Sequence, residues 1–389
     1  MTPGTHRFVA LDALRGLCAV LVCLFHFKAN SPIAESQFVR SSWQYVDFFF
    51  VLSGFVIAAN YRQRLEEGLS PWRFLGLRLG RIYPLHIFVL GLFVVTEIAG
   101  AILLSPGQRP RQMFDTAHAP SAIILHLLML HSVGLTSRLT WNDPAWSIGV
   151  EFWTYVVFAL AVPWLRTRLE AVMLVVVVAC PLILLGVRSA GINVTWDWGL
   201  VRCIYGFSLG VLGWAVWRRE GRATDTRPIL WTVLELTALV ASAGFVMATM
   251  TSQWNVLGPL VFAVAVLIFA HERGRVSRLL ATPPLLLLGT LSYSIYMLHS
   301  FVQARSADVL KIIERLTGYP TSSPGIHNGV AIRIVGATPL QGTLLTGMML
   351  LIVIGLSYIT YRTVELPGQR WARERLGVGA KRSVADPRR

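Results

Sequence analysis

The sequence predicts an all-α, polytopic membrane protein of about ten transmembrane helices enclosing a polar interior cavity. Three observations predict it. The chain has 389 residues, of which 54% are hydrophobic and only 14% charged, where soluble domains carry about 25% charged residues. Apolar runs close to the ~20 residues that cross a bilayer recur along its whole length. The basic residues gather in the short segments between those runs, as the positive-inside rule produces. That distribution also sets aside nucleic acid as the partner of the +15 formal charge, because the charge is not collected on one soluble face.

Ten spans are expected: 8–28, 45–61, 78–104, 145–165, 170–188, 198–217, 230–250, 255–271, 284–305 and 341–363. The run Ile123–His131, "IILHLLMLH", is short and histidine-rich. It reads as a re-entrant or interfacial segment, with an eleventh span as the alternative. With the N-terminus in the cytoplasm, the inner segments hold 23 basic residues and the outer segments ten, so both termini are expected to be cytoplasmic. Two outer segments are long, 105–144 and 306–340; the second holds an amphipathic stretch, "SADVLKIIERL", and a turn-rich loop, "TGYPTSSPGIHNG". Residues 1–370 form the expected membrane domain and 371–389 a disordered basic cytoplasmic tail. Cys18, Cys23, Cys180 and Cys203 lie in apolar segments without a CxxC spacing, so neither a metal site nor a disulfide framework is expected. Asp12 and Arg15 interrupt the first apolar run, and no small-residue cleavage site follows it; a cleavable signal peptide is not expected.

The polar residues inside these spans carry the functional reading. In "LDALRGLCAVLVCLFHF" (Leu11–Phe27), Arg15 and His26 are eleven residues apart, about 20° past three full turns and ~16 Å along the axis. Both project from one face, and Asp12 lies near the same stripe. A charge in hydrocarbon costs about 2.5–3.5 kcal/mol on the insertion scale, so the stripe faces a polar interior. The plainer explanation is an Arg15–Asp12 pair at i,i+3 with His26 anchored at the interface. "VDFFFVLSGF" puts Asp47 at the outer start of the second span, and "LRLGRIYPLH" puts Arg78 and Arg81 on one face at the inner start of the third, near the helix-kinking Pro84. Simple snorkelling explains those arginines equally well. "AWSIGVEFW" aligns Ser147 and Glu151, and "LSYSIYMLH" aligns Ser292, Tyr296 and His299; a packed aromatic stripe with a satisfied histidine is the ordinary account of the latter. By depth, the arginines form a low cationic layer and Asp47, Glu151, His26 and His299 a higher acid–base layer. That layering suits a protein that holds an anionic group from within and moves protons near the other face.

"LDALRGLCAVLVCLFH", "VDFFFVLSGF", "RLGRIYPLH", "WSIGVEF", "LSYSIYMLH" and "SYITYRTVELP", in that order, resemble acyltransferase family 3, integral membrane enzymes that O-acylate glycans and related acceptors. The resemblance implies a multi-pass inner-membrane O-acetyltransferase that takes an acyl group from cytoplasmic acetyl-CoA or another acyl-CoA. The acceptor it implies is a glycan or lipid-linked saccharide at the outer face. It matches the family's donor-site residues to Arg15, Arg78 and Arg81, and its span-one histidine to His26. Relatives often have a second acidic residue after the matching glutamate; Phe152 stands there in this chain. His26 is then the expected general base, oriented by Asp47 or Glu151, with Ser147, Tyr296 and His299 as further cavity residues and no metal. The absence of a GxSxG favours direct transfer over a serine acyl-enzyme. Two alternatives remain at this level: acylation of a small, macrolide-like metabolite from the cytoplasmic side, and a proton-coupled transporter, which would also keep intramembrane Arg, Glu and His.

Overall fold

The computed structural model describes residues 7–105, 112–187, 191–221, 227–327 and 330–377. Its helices are α1 (Val9–His26), α2 (Tyr45–Ile57), α3 (Pro71–Leu103), α4 (Pro120–Leu127), α5 (Ala145–Leu165), α6 (Leu169–Val187), α7 (Gly199–Glu220), α8 (Pro228–Ala248), α9 (Gly258–Ala270), α10 (Pro283–Thr317), α11 (Pro339–Thr360) and α12 (Leu366–Arg375). A hairpin of β1 (Ser322–His327) and β2 (Val330–Val335) joins α10 to α11. The described chain begins and ends at one end of the bundle, here the base, because α12 folds back onto the start of α3 with Ala372 packed against Gly80. Large apolar side chains cover the outside: Trp164 is 89% exposed, Leu351 71% and Val240 70%. A surface of that kind requires lipid rather than water around it.

Among the described residues, nine stretches are long and apolar enough to cross a bilayer. The fourth, Ala145–Val187, has 43 residues. As one rod it would measure about 64 Å, twice the hydrocarbon thickness. It breaks instead at Arg166, whose φ is 40°, in a tight turn over Arg166–Arg168 that separates α5 from α6. The ten expected spans are therefore all present as helices.

Helix α4 settles the ambiguous run. Its eight residues rise only about 12 Å. The Trp141 N–H donates to Ala117 O at 2.8 Å, so the segment enters and leaves on the same side. Its carbonyls are satisfied by side chains of the flanking spans: Tyr83 Oη donates to Leu127 O (2.9 Å) and Trp153 Nε1 to Met129 O (3.1 Å). Irregular backbone at membrane depth persists where protein supplies such donors. The segment is re-entrant, and there is no eleventh crossing through it.

Three segments read from the sequence take a more definite form in the structure. "SADVLKIIERL" is not a separate element but the last turns of α10, whose 35 residues extend about 52 Å and so project beyond the membrane. The loop read as turn-rich is a hairpin: "NG" between two six-residue strands is a strong hairpin signal, and β2 bonds to the chain after α1 through Val335 N–Lys28 O (3.0 Å) and Asn30 N–Val335 O (2.8 Å). Residues 371–375, read from the sequence as part of the tail, are the end of α12; residues 378–389 lie outside the described residues.

Two glycine contacts set the core. A Cβ on Gly16 would sit 2.4 Å from the backbone of Leu288 and Gly289, and one on Gly210 would sit 2.0 Å from Val51 O. These bring α1 against α10 and α2 against α7 with backbones almost touching, the close approach that small residues permit in membranes.

Candidate active site

The parallel α1–α10 pair delivers two polar contacts one above the other. Near the base, Arg15 Nε donates to Ser292 Oγ (2.9 Å) and Nη2 to Gly289 O (3.0 Å). The expected Arg15–Asp12 pair is present at 3.6 Å. Near the top, His26 Nδ1 lies 3.2 Å from His299 Nε2. His299 is fully buried, and its Nδ1 faces Ile295 O at 3.2 Å. A carbonyl only accepts, so His299 carries its proton on Nδ1 and offers Nε2 as acceptor. His26 then donates from Nδ1, shared with Val22 O at 2.9 Å. This tautomer places the basic lone pair of His26 on Nε2.

Two cavities meet at this pair of helices. The lower one, about 130 Å³, is bordered by Arg15, Arg78, Arg81, Glu151, Ser147 and Tyr296. The upper one, about 720 Å³, is bordered by His26, Lys28, Asp143, Trp146, Arg202 and again Tyr296. Tyr296 is thus the shared wall. Its Oη bonds Ser147 Oγ at 2.8 Å, and its ring meets Phe49 edge-on at 5.7 Å. The lower cavity holds only a few waters' worth of space, enough for an acyl group and part of a thin chain but not for a nucleotide.

The structure brings six of the nine sequence-derived residues to the lower cavity and His26 to the upper one. His299 lines neither, and acts on His26 from behind. Arg78 Nη2 donates to Tyr61 Oη (2.7 Å), and its guanidinium stacks 4.7 Å from that ring. Its Nε is buried without a hydrogen-bond partner, a donor left for a ligand acceptor. Glu151 accepts from Tyr155 Oη at 2.6 Å, and Tyr155 in turn bonds Ser53 at 2.8 Å.

Asp47 has a different partner from the one the sequence suggested. Both its oxygens accept from Arg202, Nε to Oδ1 and Nη2 to Oδ2, each at 2.8 Å, with both side chains 1% exposed. The Arg202 guanidinium also donates to Val194 O (3.0 Å) and lies between the Trp43 and Trp146 rings, 5.4 and 5.2 Å from their centroids. Asp47 therefore holds the floor of the upper cavity through Arg202 rather than orienting His26. Sequence reasoning gave Arg202 no role; the signal was an arginine mid-span, which must have a partner. Also missed was Glu365 of the closing motif, buried, bonded to Ser294 Oγ (2.9 Å) and within electrostatic reach of Arg81 and Arg15.

Above these residues, Asp143 borders the upper cavity. Desolvation pushes its carboxyl above the usual range, with the neighbouring His118 and Lys28 pulling it partly back. The four cysteines are buried free thiols.

Comparison with known proteins agrees with this architecture. Residues 8–362 match a family described as an acyltransferase domain. "Protein 2 in picA locus" of Rhizobium radiobacter is 34% identical over 164 residues, 39% of this chain and 81% of that protein. "Acyltransferase MdmB" of Streptomyces mycarofaciens is 29% identical over 175 residues, 43% of this chain and 41% of that protein. No solved structure matches. With the family match running from the first span to the turn after α11, this chain belongs to acyltransferase family 3, as a multi-pass membrane acyltransferase.

Proposed function

We propose that the protein moves an acyl group, most simply acetyl, from acyl-CoA at the base of the bundle to a hydroxyl of a glycan or lipid-linked saccharide at the top. The observation that carries this reading is Tyr296, which borders a small arginine-lined cavity on one side and a large histidine-containing cavity on the other. The excess of basic residues in the segments at the base supports a cytoplasmic base and hence cytoplasmic termini, in the inner membrane.

Arg78 and Arg81 suit the donor's phosphates, since guanidinium forks match phosphate oxygens. Arg15 is placed to accompany the pantetheine arm, and the 130 Å³ cavity suits the thioester. The acceptor enters the upper cavity. Its hydroxyl oxygen attacks the thioester carbonyl while His26 Nε2 takes the hydroxyl proton. The C–S bond breaks, the new C–O bond remains in the ester, and the thiolate leaves as CoA, to which the histidine's proton returns. His299 keeps His26 in the productive tautomer, and the Asp47–Arg202 pair fixes the cavity floor. For the thioester to reach His26, the Tyr296 side chain must swing aside; that motion is the gate between the two compartments.

The test is reconstitution into proteoliposomes with acetyl-CoA on one side and candidate glycans on the other, scored by free thiol and by product mass. Acceptor-dependent thiol release with a mass gain of one acetyl group is the expected result. Solute movement without acyl-CoA consumption would overturn the proposal in favour of a transporter, and product only when both substrates share the base side would overturn its orientation.

A further inference from the structure

Three histidines stand outside the site described above: His86 on α3, His126 at the end of α4, and His131 in the return of the re-entrant segment. They are 1%, 0% and 2% exposed. Each directs Nε2 at a backbone carbonyl: His86 at His126 O (3.0 Å), His126 at Thr140 O (3.1 Å, with Thr140 Oγ1 at 2.9 Å) and His131 at Ala145 O (3.0 Å). Carbonyl oxygens only accept, so each Nε2 carries the proton and each neutral ring keeps its lone pair on Nδ1. All three Nδ1 atoms are buried and none makes a hydrogen bond of good geometry, although the Leu125 backbone also interacts with the His131 ring. One ring nitrogen from each residue lies within 4.8 Å of those of the other two.

Three buried ring nitrogens held this close together without a donor cost free energy. An ion that accepts lone pairs would satisfy all three together. The arrangement also has the outer layer that metal-bound histidines use, in which the second ring N–H donates to a carbonyl and fixes the tautomer. The packing beside it is close: a Cβ on Gly149 would lie 3.0 Å from His131 Cε1 and 3.1 Å from Ser132 Oγ, so the glycine lets the His131 ring lie against α5, and Ser132 Oγ is itself buried without a partner.

We propose that His86, His126 and His131 bind one Zn²⁺-class divalent ion through their Nδ1 atoms, tying the re-entrant segment to α3 and to the start of α5. Neutral imidazoles of borderline softness select this ion class over Mg²⁺ or Ca²⁺. Three protein ligands leave a fourth position for water. Zn–N bonds of about 2.0–2.1 Å need the nitrogens closer together than they stand, and the rings are nearly parallel, with His126 and His131 stacked at 3.9 Å. Binding therefore requires them to fan about their Cβ–Cγ bonds. This revises the sequence expectation of no metal. The His131 bond to Ala145 O links the site to the helix that carries Ser147 and Glu151, so the ion acts as a staple behind the catalytic cavity and not as a reactant.

The experiment is metal analysis of the full chain purified in detergent without chelator. About one zinc per chain is expected, together with a rise in Tm on adding Zn²⁺ to chelator-treated protein and a tetrahedral ligand-field spectrum on adding Co²⁺. His126→Gln and His131→Gln should lose all three responses, while His118→Gln, outside the cluster, should keep them. Parent protein that holds no stoichiometric ion and shows neither the Tm shift nor the Co²⁺ spectrum would overturn the proposal, without reliance on any variant folding. Undiminished metal content in well-folded His126→Gln or His131→Gln protein would overturn it equally.

Discussion

His26 Nδ1 and His299 Nε2 lie 3.2 Å apart, across two helices whose sequence positions differ by 273 residues. The same offset relates Gly16 to Gly289, the backbone contact ten residues below. The histidine pair is therefore set by a glycine crossing: two parallel helices in fixed register carry it to the upper cavity.

On the proposed function, His26→Ala keeps acetyl-CoA affinity and lowers turnover by roughly 10²–10⁴-fold, the usual size of a general-base contribution. His26→Gln does not recover it, since an amide accepts no proton. His299→Gln, which still presents an acceptor to Nδ1–H, retains more turnover than His299→Leu, and only the Leu variant shifts the acid limb of the kcat/KM profile. Donor binding by titration calorimetry and product formation on the same preparations check this; parent-like turnover in His26→Gln would make His26 structural.

The glycine crossing is testable by itself. In Gly16→Ala the new methyl would meet backbone at 2.4 Å, and in Gly289→Ala it would meet Asp12 O at 2.3 Å. Backbone cannot rotate away as a side chain can, so the helices must separate, at about 1–3 kcal/mol for overpacking of this kind. Both variants should lower Tm and lose activity. Gly355→Ala on α11, with nothing within 4 Å of the added Cβ, should leave Tm unchanged or slightly raised.

The Asp47–Arg202 pair separates stability from function. Removing one partner leaves a buried charge uncompensated, at about 3–5 kcal/mol, so Asp47→Leu and Arg202→Met should each express poorly. The double variant removes both charges and should recover folded protein by size-exclusion and Tm. It should remain deficient in turnover, because the floor of the upper cavity has lost its fixed guanidinium; full activity in the double variant would reduce the pair to a structural one.

Arg78 has a buried Nε without a partner. Arg78→Ala should weaken acetyl-CoA binding by about 1.5–3 kcal/mol, the worth of a hydrogen bond to a charged group. Arg78→Lys should recover only part, because an ammonium lacks the planar fork and the stack on Tyr61. Unaltered affinity in the Ala variant would remove Arg78 from the donor site.

Asp143 supplies a pH test. Its carboxyl is raised in the folded state, mainly by desolvation, so the folded protein holds the proton more tightly than the unfolded chain does. Stability is then lost as pH rises through this titration from the ordinary carboxylate value of about 4. Asp143→Asn should have the higher Tm at neutral pH, and its advantage should shrink as pH falls toward that value. A Tm difference that does not vary with pH would contradict the assignment.

Hydrophobic run length and the placement of basic residues were enough to read the membrane class and the ten spans from sequence, because each span is a local pattern that needs no tertiary partner. Helical periodicity likewise put Arg15 and His26 on one face, and the intramembrane cost of charge marked that stripe and Glu151 as interior. Partnership was not legible. Asp47 pairs with Arg202 across 155 positions, and nothing local to either residue encodes that choice; the close approach at Gly54, Gly206 and Gly210 makes it. His126 and His131 read as an interfacial oddity until α3 supplied His86 and the re-entrant turn stacked the rings. The separation of the polar residues into two cavities with Tyr296 between them also belongs to the tertiary structure alone, because a cavity is the space several helices leave, and no single helix contains the information for its shape.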